Sequence, residues 1–228
     1  MKYTGLFFRL TLREVFRFPM FYLATIVSGA VMFMLLGRMG GVFDIQAVAD
    51  LAAGQLVYVL LSLGMLLIFM CAMPVFINEK QQKILPVLMY SPANFREILL
   101  GKSLALVFAA IVSSLASFTG PLLSHPALLR AMAAPGIAAA LALIFATLLV
   151  FTLIIGMLLL CAPDIKVLYP ALFFLNYIPM EAQKRGKLYM EAHGIGGINW
   201  LYLLSLGVLA LIAAGVYRLY FSKARMTA

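Results

Sequence analysis

Long apolar runs constrain this chain more than any other feature of its sequence. Only one of the six runs, the one that includes Lys166, carries a charged residue. A bilayer core about 30 Å thick requires about 20 apolar residues in a helix. The runs are residues 18–37, 54–77, 103–124, 131–162, 165–180 and 198–217. They predict an all-α polytopic membrane protein with six transmembrane helices in a single domain, residues 1–228.

The composition excludes several other classes of protein. The chain is 65% hydrophobic and 11% charged, whereas soluble domains carry about 25% charged residues. A membrane barrel would show alternating strands of about ten residues, and these runs are longer and uniformly apolar. The net charge of +9 lies in short segments between the runs, so we expect no nucleic-acid partner. The methionines are expected to be apolar filler, and no metal site is predicted.

The distribution of Lys and Arg sets the expected orientation, because these residues favour cytoplasmic loops. With six spans both termini lie on one side, and placing them inside puts 12 of the 17 basic residues there. We therefore expect a multi-pass protein of the cell (inner) membrane with both termini cytoplasmic. Lys184, Arg185 and Lys187 then fall outside, in an extracytoplasmic loop at 181–197. They would move inside if the fifth helix were re-entrant.

The segment before the first run, residues 4–18, predicts an amphipathic helix on the membrane surface. Arg9, Arg13 and Arg17 recur every four residues and share one face, where they meet anionic headgroups. The charged residues also interrupt any signal-peptide core, so no cleavable signal is expected. The alternative is a simple basic flank that orients the protein. The apolar residues expected in the interface are Leu6, Phe7, Leu10 and Phe18.

The polar stretch between the second and third runs, residues 78–102, differs from the other connections. It is too polar to span a membrane and too long for a bare turn. Ser91 is a candidate helix cap, Pro92 suits the first helical position, and Glu97 is favoured early in a helix. The stretch therefore predicts a short amphipathic helix on the cytoplasmic face that leads into the third span.

This stretch resembles the coupling loop of permease subunits in ATP-binding-cassette (ABC) transporters of the second exporter type. Lys83 and Pro86 depart from the family pattern, which has glycine and glutamate there. Gly101-Lys102-Ser103 is not a phosphate-binding loop, because Arg96 stands where that motif requires glycine. The matching residues are Glu79, Leu85, Leu88, Met89, Ser91, Pro92, Glu97, Gly101 and Lys102.

The resemblance implies a permease that carries no catalytic site and binds no cofactor of its own. Two separate ATPase subunits would bind ATP and Mg, and a second permease subunit would complete a homo- or heterodimer. A re-entrant hairpin after the fifth helix would gate the outer side through Asn176, Tyr177 and Pro179. Phe95 and Arg96 are added as contact residues because aromatic and arginine side chains dominate interfaces. The full set expected to couple to the ATPase is Glu79, Ser91, Pro92, Phe95, Arg96 and Glu97.

Polar side chains inside the runs have two interpretations. Gln55, Tyr58 and Ser62 share one helix face, and Ser113 and Ser117 share another. They either line a substrate path or serve helix packing. The apolar composition favours a hydrophobic or amphipathic substrate but does not identify it. The resemblance implies export driven by ATP, while the sequence alone does not settle the direction. The competing function is a non-transporting membrane scaffold or immunity protein. An intramembrane enzyme is disfavoured because its buried catalytic motifs are missing.

Overall fold

The computed structural model describes residues 3–38, 46–81, 95–124, 135–161 and 198–220, with the single positions 126, 130 and 133. Within these ranges the chain forms six helices and no strand, which confirms the all-α prediction. The helices are α1 (Thr4–Arg17), α2 (Pro19–Arg38), α3 (Gln46–Gln81), α4 (Phe95–Ser124), α5 (Pro135–Cys161) and α6 (Ile198–Tyr220).

Three of these helices are long and apolar enough to cross a membrane. The qualifying stretches are Val59–Ile77 in α3, Arg96–Gly120 in α4 and Ile137–Leu160 in α5. They correspond to the predicted runs at 54–77, 103–124 and 131–162. Helices α2 and α6 occupy the first and last predicted runs. The predicted fifth helix and the predicted loop at 181–197 lie outside the described residues. The chain is therefore a helical membrane protein.

The third predicted span begins earlier than the sequence indicated. The sequence predicts a short amphipathic helix that leads into a span at 103–124, and in the structure α4 runs without a break from Phe95 to Ser124. No proline stands between Phe95 and Gly120. Backbone hydrogen bonding therefore continues through the charged residues at the start of the helix.

Helices α1 and α2 meet at a sharp bend. Phe18 has an extended backbone, with φ −82° and ψ 112°, as expected for a residue that precedes proline. The axes of Thr4–Arg17 and Pro19–Val31 differ by 69°. The buried face of α1 consists of Phe7, Thr11 and Val15, at intervals of four residues. The prediction that Phe7 lies in the lipid interface is wrong, because its side chain packs inward against α4.

Helix α4 is the centre of the bundle. It contacts α1, α2, α3 and α5, while α5 also packs against α3 and α6. Glycine allows close contact between helices in a membrane, and a Cβ at Gly156 would lie 2.9 Å from atoms of Phe76 and Leu99. Phe76 and Phe151 are among the largest fully buried side chains. The core thus lies where α3, α4 and α5 meet.

Helices α2 and α6 turn apolar side chains outward. On α2, Ile26 is 70% exposed and Met34 is 66% exposed, and on α6 Leu211 is 75% exposed. Exposed apolar surface of this extent is uncommon on a soluble monomer. Lipid chains solvate such surfaces, as expected for a membrane protein.

Candidate functional site

The start of α4 presents an arginine to solvent. Arg96 is exposed, and its Nη2 donates a hydrogen bond of 2.8 Å to the hydroxyl of Tyr217 in α6. The guanidinium carbon lies 5.8 Å from the centroid of the Tyr217 ring, within range of a cation–π contact. The first turn of α4 is therefore connected to the end of α6.

The next two residues point inward. Glu97 is 8% exposed and Ile98 is 3% exposed, and Ile98 packs with Phe7 and Tyr3. The Glu97 carboxylate stands in the first turn of the helix, where the helix dipole favours negative charge. Glu97 thus belongs to the packed base of α4 rather than to its solvated surface.

One turn further along, α1 lies directly against the backbone of α4. A Cβ added to Gly101 would lie 2.7 Å from the carbonyl oxygen of Thr4 and 2.8 Å from the Cβ of Phe7. Only glycine leaves room for this contact, because two of the nearest three atoms belong to the α1 backbone. The glycine of the family-like Gly-Lys pair therefore has a defined structural role.

The lysine of that pair is buried within the bundle. Lys102 is 2% exposed, and its Nζ lies 5.6 Å from the centroid of the Phe76 ring in α3. A cation over an aromatic face is stabilised, the more so where water is excluded. In the sequence Lys102 ends the polar stretch at 78–102, and its burial against α3 is a finding of the structure.

A second polar cluster joins α2 to α4 deeper in the bundle. Thr25 donates from its hydroxyl to the carbonyl of Phe21 at 2.8 Å, so the Ser113 hydroxyl, 2.5 Å away, donates to Thr25. Ser117 donates to the carbonyl of Ser113 at 3.0 Å, with the carbonyl of Thr25 at 3.3 Å. In this chain the two serines serve helix packing. A role in lining a substrate path stays a prediction.

The remaining predicted site residues are distributed as follows. Arg9, Arg13 and Arg17 are all exposed on α1, and Ser62 is half-buried on α3. For four further residues the structure describes only the helical backbone. These are Gln55, Tyr58 and Glu79 in α3, and Phe95 at the start of α4. Ser91, Pro92, Asn176, Tyr177 and Pro179 lie outside the described residues.

Sequence reasoning missed two parts of this arrangement. No local sequence pattern indicates that Tyr217 is the partner of Arg96, since 121 residues separate the two positions. The contact at Gly101 did leave one, because a glycine inside an apolar helix costs about 1 kcal/mol unless close packing needs it. In the sequence, Gly101 is interpreted only as a residue that matches the family pattern.

The chain was compared with protein-family models, with curated proteins and with solved structures, and none of the three comparisons gave a match.

Proposed function

We propose that this chain is the membrane-spanning subunit of an ATP-driven ABC exporter. The observation that carries the proposal is the base of α4. There an exposed arginine lies within the polar stretch 78–102, on a helix that continues to Ser124 without interruption. The resemblance of residues 78–102 to a coupling loop supports the same conclusion. In the proposed arrangement six helices span the cell membrane and both termini are cytoplasmic.

Force from the ATPase would enter through the residues at the start of α4. ATP and Mg bind to the separate ATPase subunits, and this chain supplies the surface that those subunits push. A continuous helix transmits a push at Arg96 along its whole length. Because α1 contacts Gly101 and Tyr217 bonds Arg96, α1 and α6 would move together with α4. An inward displacement of α4 would thus move three helices, α1, α4 and α6.

The substrate path would lie between this chain and a second permease subunit. A hydrophobic or amphipathic substrate suits the apolar helices that face it, and export is the direction proposed. Gln55, Tyr58 and Ser62 share one face of α3 and are the proposed lining residues. The outer gate at 176–179 is proposed from the resemblance alone.

Co-purification in mild detergent tests the proposal. The tagged chain should retain a nucleotide-binding subunit, measured by mass spectrometry and by ATP hydrolysis in the eluate. Arg96→Glu should reduce retention about tenfold or more, as at an interface hot spot. Tyr217→Phe is the matched control, because it removes the hydrogen bond within the chain and leaves the Arg96 charge in place. Arg13→Glu controls for the loss of an exposed arginine elsewhere.

Two results would count against this function. If no ATPase is retained by the unmodified chain under any mild condition, the scaffold or immunity interpretation replaces the transporter. If Arg96→Glu retains the ATPase as well as Arg13→Glu does, the base of α4 is not the contact surface.

A further inference from the structure

A cavity of about 190 Å³ lies between α1 and α3, beside the bend at Phe18. Protein interiors are close-packed, and few of their voids exceed the size of a water molecule. Val15 on α1 and Val75 on α3 both line the cavity, and both side chains are buried, at 2% and 1% exposure. The cavity is therefore a gap in the packing between two helices, and it leaves room for one of them to move.

Helix α3 has a weak point at this cavity. Pro74, which also lines it, lies inside α3, about two turns before the helix ends. Proline has no amide hydrogen, so the carbonyl of Met70 lacks its usual helical donor, and sharp bends in helices occur mostly at such positions. The longer part of α3, before the proline, is fixed in the bundle because Leu61 and Ile68 are completely buried. Pro74 thus separates this fixed part from a short end, residues 75–81.

The short end of α3 is packed unequally on its two sides. Towards α5, a Cβ added to Gly156 would lie 2.9 Å from the Cζ of Phe76, so the ring fits tightly against the glycine. Towards α4, the Nζ of Lys102 lies 5.6 Å from the centroid of the same ring, a distance that allows a cation–π contact. Val75, the preceding residue, lines the cavity instead. The end is therefore packed against α4 and α5, and it borders a void towards α1.

We propose that α3 hinges at Pro74 and that its end, residues 75–81, moves between two positions. In the described position Phe76 is held against α4 and α5. In the second position Val75 enters the cavity and Phe76 withdraws from Lys102. Packed helices change between discrete arrangements of this kind rather than deform gradually. The movement requires neither nucleotide nor a partner protein, so it can be tested apart from the transporter proposal.

The two positions exchange one set of favourable contacts for another. The described position keeps the cation–π contact of Phe76. The second position fills the cavity, whose lining atoms otherwise lack partners for dispersion contacts. Because these gains and losses offset each other, we expect both positions to be populated. Residues 78–81 begin the polar stretch 78–102, so the movement would carry the start of that stretch with it.

Pulsed electron paramagnetic resonance measures the movement as the distance between two spin labels. The labels are attached to Arg13→Cys on α1 and Gln81→Cys at the end of α3, in the full-length protein with its two native cysteines, Cys71 and Cys161, replaced by alanine. This parent should give two distance populations, of which the shorter belongs to the position with the cavity filled. Pro74→Ala restores the missing amide hydrogen and should reduce the shorter population about fivefold or more. A distribution that is the same in the parent and in Pro74→Ala would overturn the proposal.

Two further variants should change the populations in opposite directions. Phe76→Leu removes the aromatic face beside Lys102 and should raise the shorter population about twofold or more. Val15→Phe fills the cavity from α1 and should abolish the shorter population, while the thermal midpoint rises by about 2–4 °C because a void has been filled. A substitution that only damaged the packing would lower that midpoint. A shorter population that falls in Phe76→Leu, or that survives in Val15→Phe, would contradict the hinge.

A second pair of labels shows which helix moves. Arg13→Cys is combined with Leu115→Cys, at a position on α4 that is 46% exposed, so this pair does not include α3. Its distance should be the same with Pro74 and with Pro74→Ala. If it changes as much as the first pair does, the movement belongs to α1, and the hinge in α3 is refuted.

Discussion

The contact between α1 and the backbone of α4 gives the sharpest prediction of stability. Gly101→Ala places a methyl group 2.7 Å from the carbonyl oxygen of Thr4 and 2.8 Å from the Cβ of Phe7. Ordinary contacts begin at 3.4 Å. The oxygen belongs to the α1 backbone, so no side-chain rotation relieves the clash. Helix α1 must move away from α4 as a unit, which opens the packing around Ile98.

A matched substitution isolates the cost of that movement. Gly207 lies within α6 with nothing within 4 Å of its added Cβ, so Gly207→Ala only gains helix propensity, up to about 1 kcal/mol. Gly101→Ala gains the same propensity and adds an overpacking cost of about 1–3 kcal/mol. The two variants should therefore differ by about 1–3 kcal/mol in the free energy of unfolding. For a chain of this size, each kcal/mol shifts the thermal midpoint by about 2–4 °C.

Thermal unfolding in detergent measures the difference in stability between the two variants. Limited trypsin digestion shows whether α1 is the displaced helix. Arg9, Arg13 and Arg17 are exposed on α1, so a displaced α1 should be cut faster in Gly101→Ala than in Gly207→Ala. If the two variants unfold at the same temperature and are digested at the same rate, α1 does not lie against Gly101 in solution. The reasoning from close backbone contact would then be refuted.

Two further predictions concern the interior of the bundle, and both are measured by unfolding in mixed micelles with a denaturing detergent. In a double-mutant cycle, Thr25→Val and Ser113→Ala should show a coupling of about 0.6–1.7 kcal/mol, the range for hydrogen bonds between membrane helices; zero coupling would mean that their bond adds no stability. Phe151→Ala should cost about 3–5 kcal/mol because the buried side chain leaves a cavity. Phe145→Ala, at a position 40% exposed on the same helix, should cost less than about 1 kcal/mol because lipid fills the space.

The helices could be predicted from the sequence because a bilayer imposes a minimum length and an apolar composition on every transmembrane helix. The run at 54–77 predicted the stretch Val59–Ile77 closely, and Pro19 marked the bend after α1. The packing faces could not be read in the same way. Lipid and protein interior are equally apolar, so composition does not distinguish Leu6, which is 53% exposed, from Phe7, which is buried.

The candidate site was predictable in part for a related reason. Helix capping at Ser91 and Pro92 predicted from local sequence alone that a helix starts near residue 92, and the described helix α4 begins at Phe95. The burial of Lys102 beside Phe76 and the bond from Arg96 to Tyr217 depend on which helices become neighbours. Such pairings arise from tertiary packing, and no periodicity within one helix encodes them.

The docking of α1 on α4 also constrains how the protein assembles. Ribosomes synthesise α1 before α2, α3 and α4, so its inward face, formed by Phe7, Thr11 and Val15, emerges before its binding surface exists. An amphipathic helix in that position rests at the bilayer surface, where lipid covers the same side chains. Insertion of α4 then offers Gly101 as a replacement for the lipid. Attachment of α1 to α4 would therefore follow insertion of the first three hydrophobic segments.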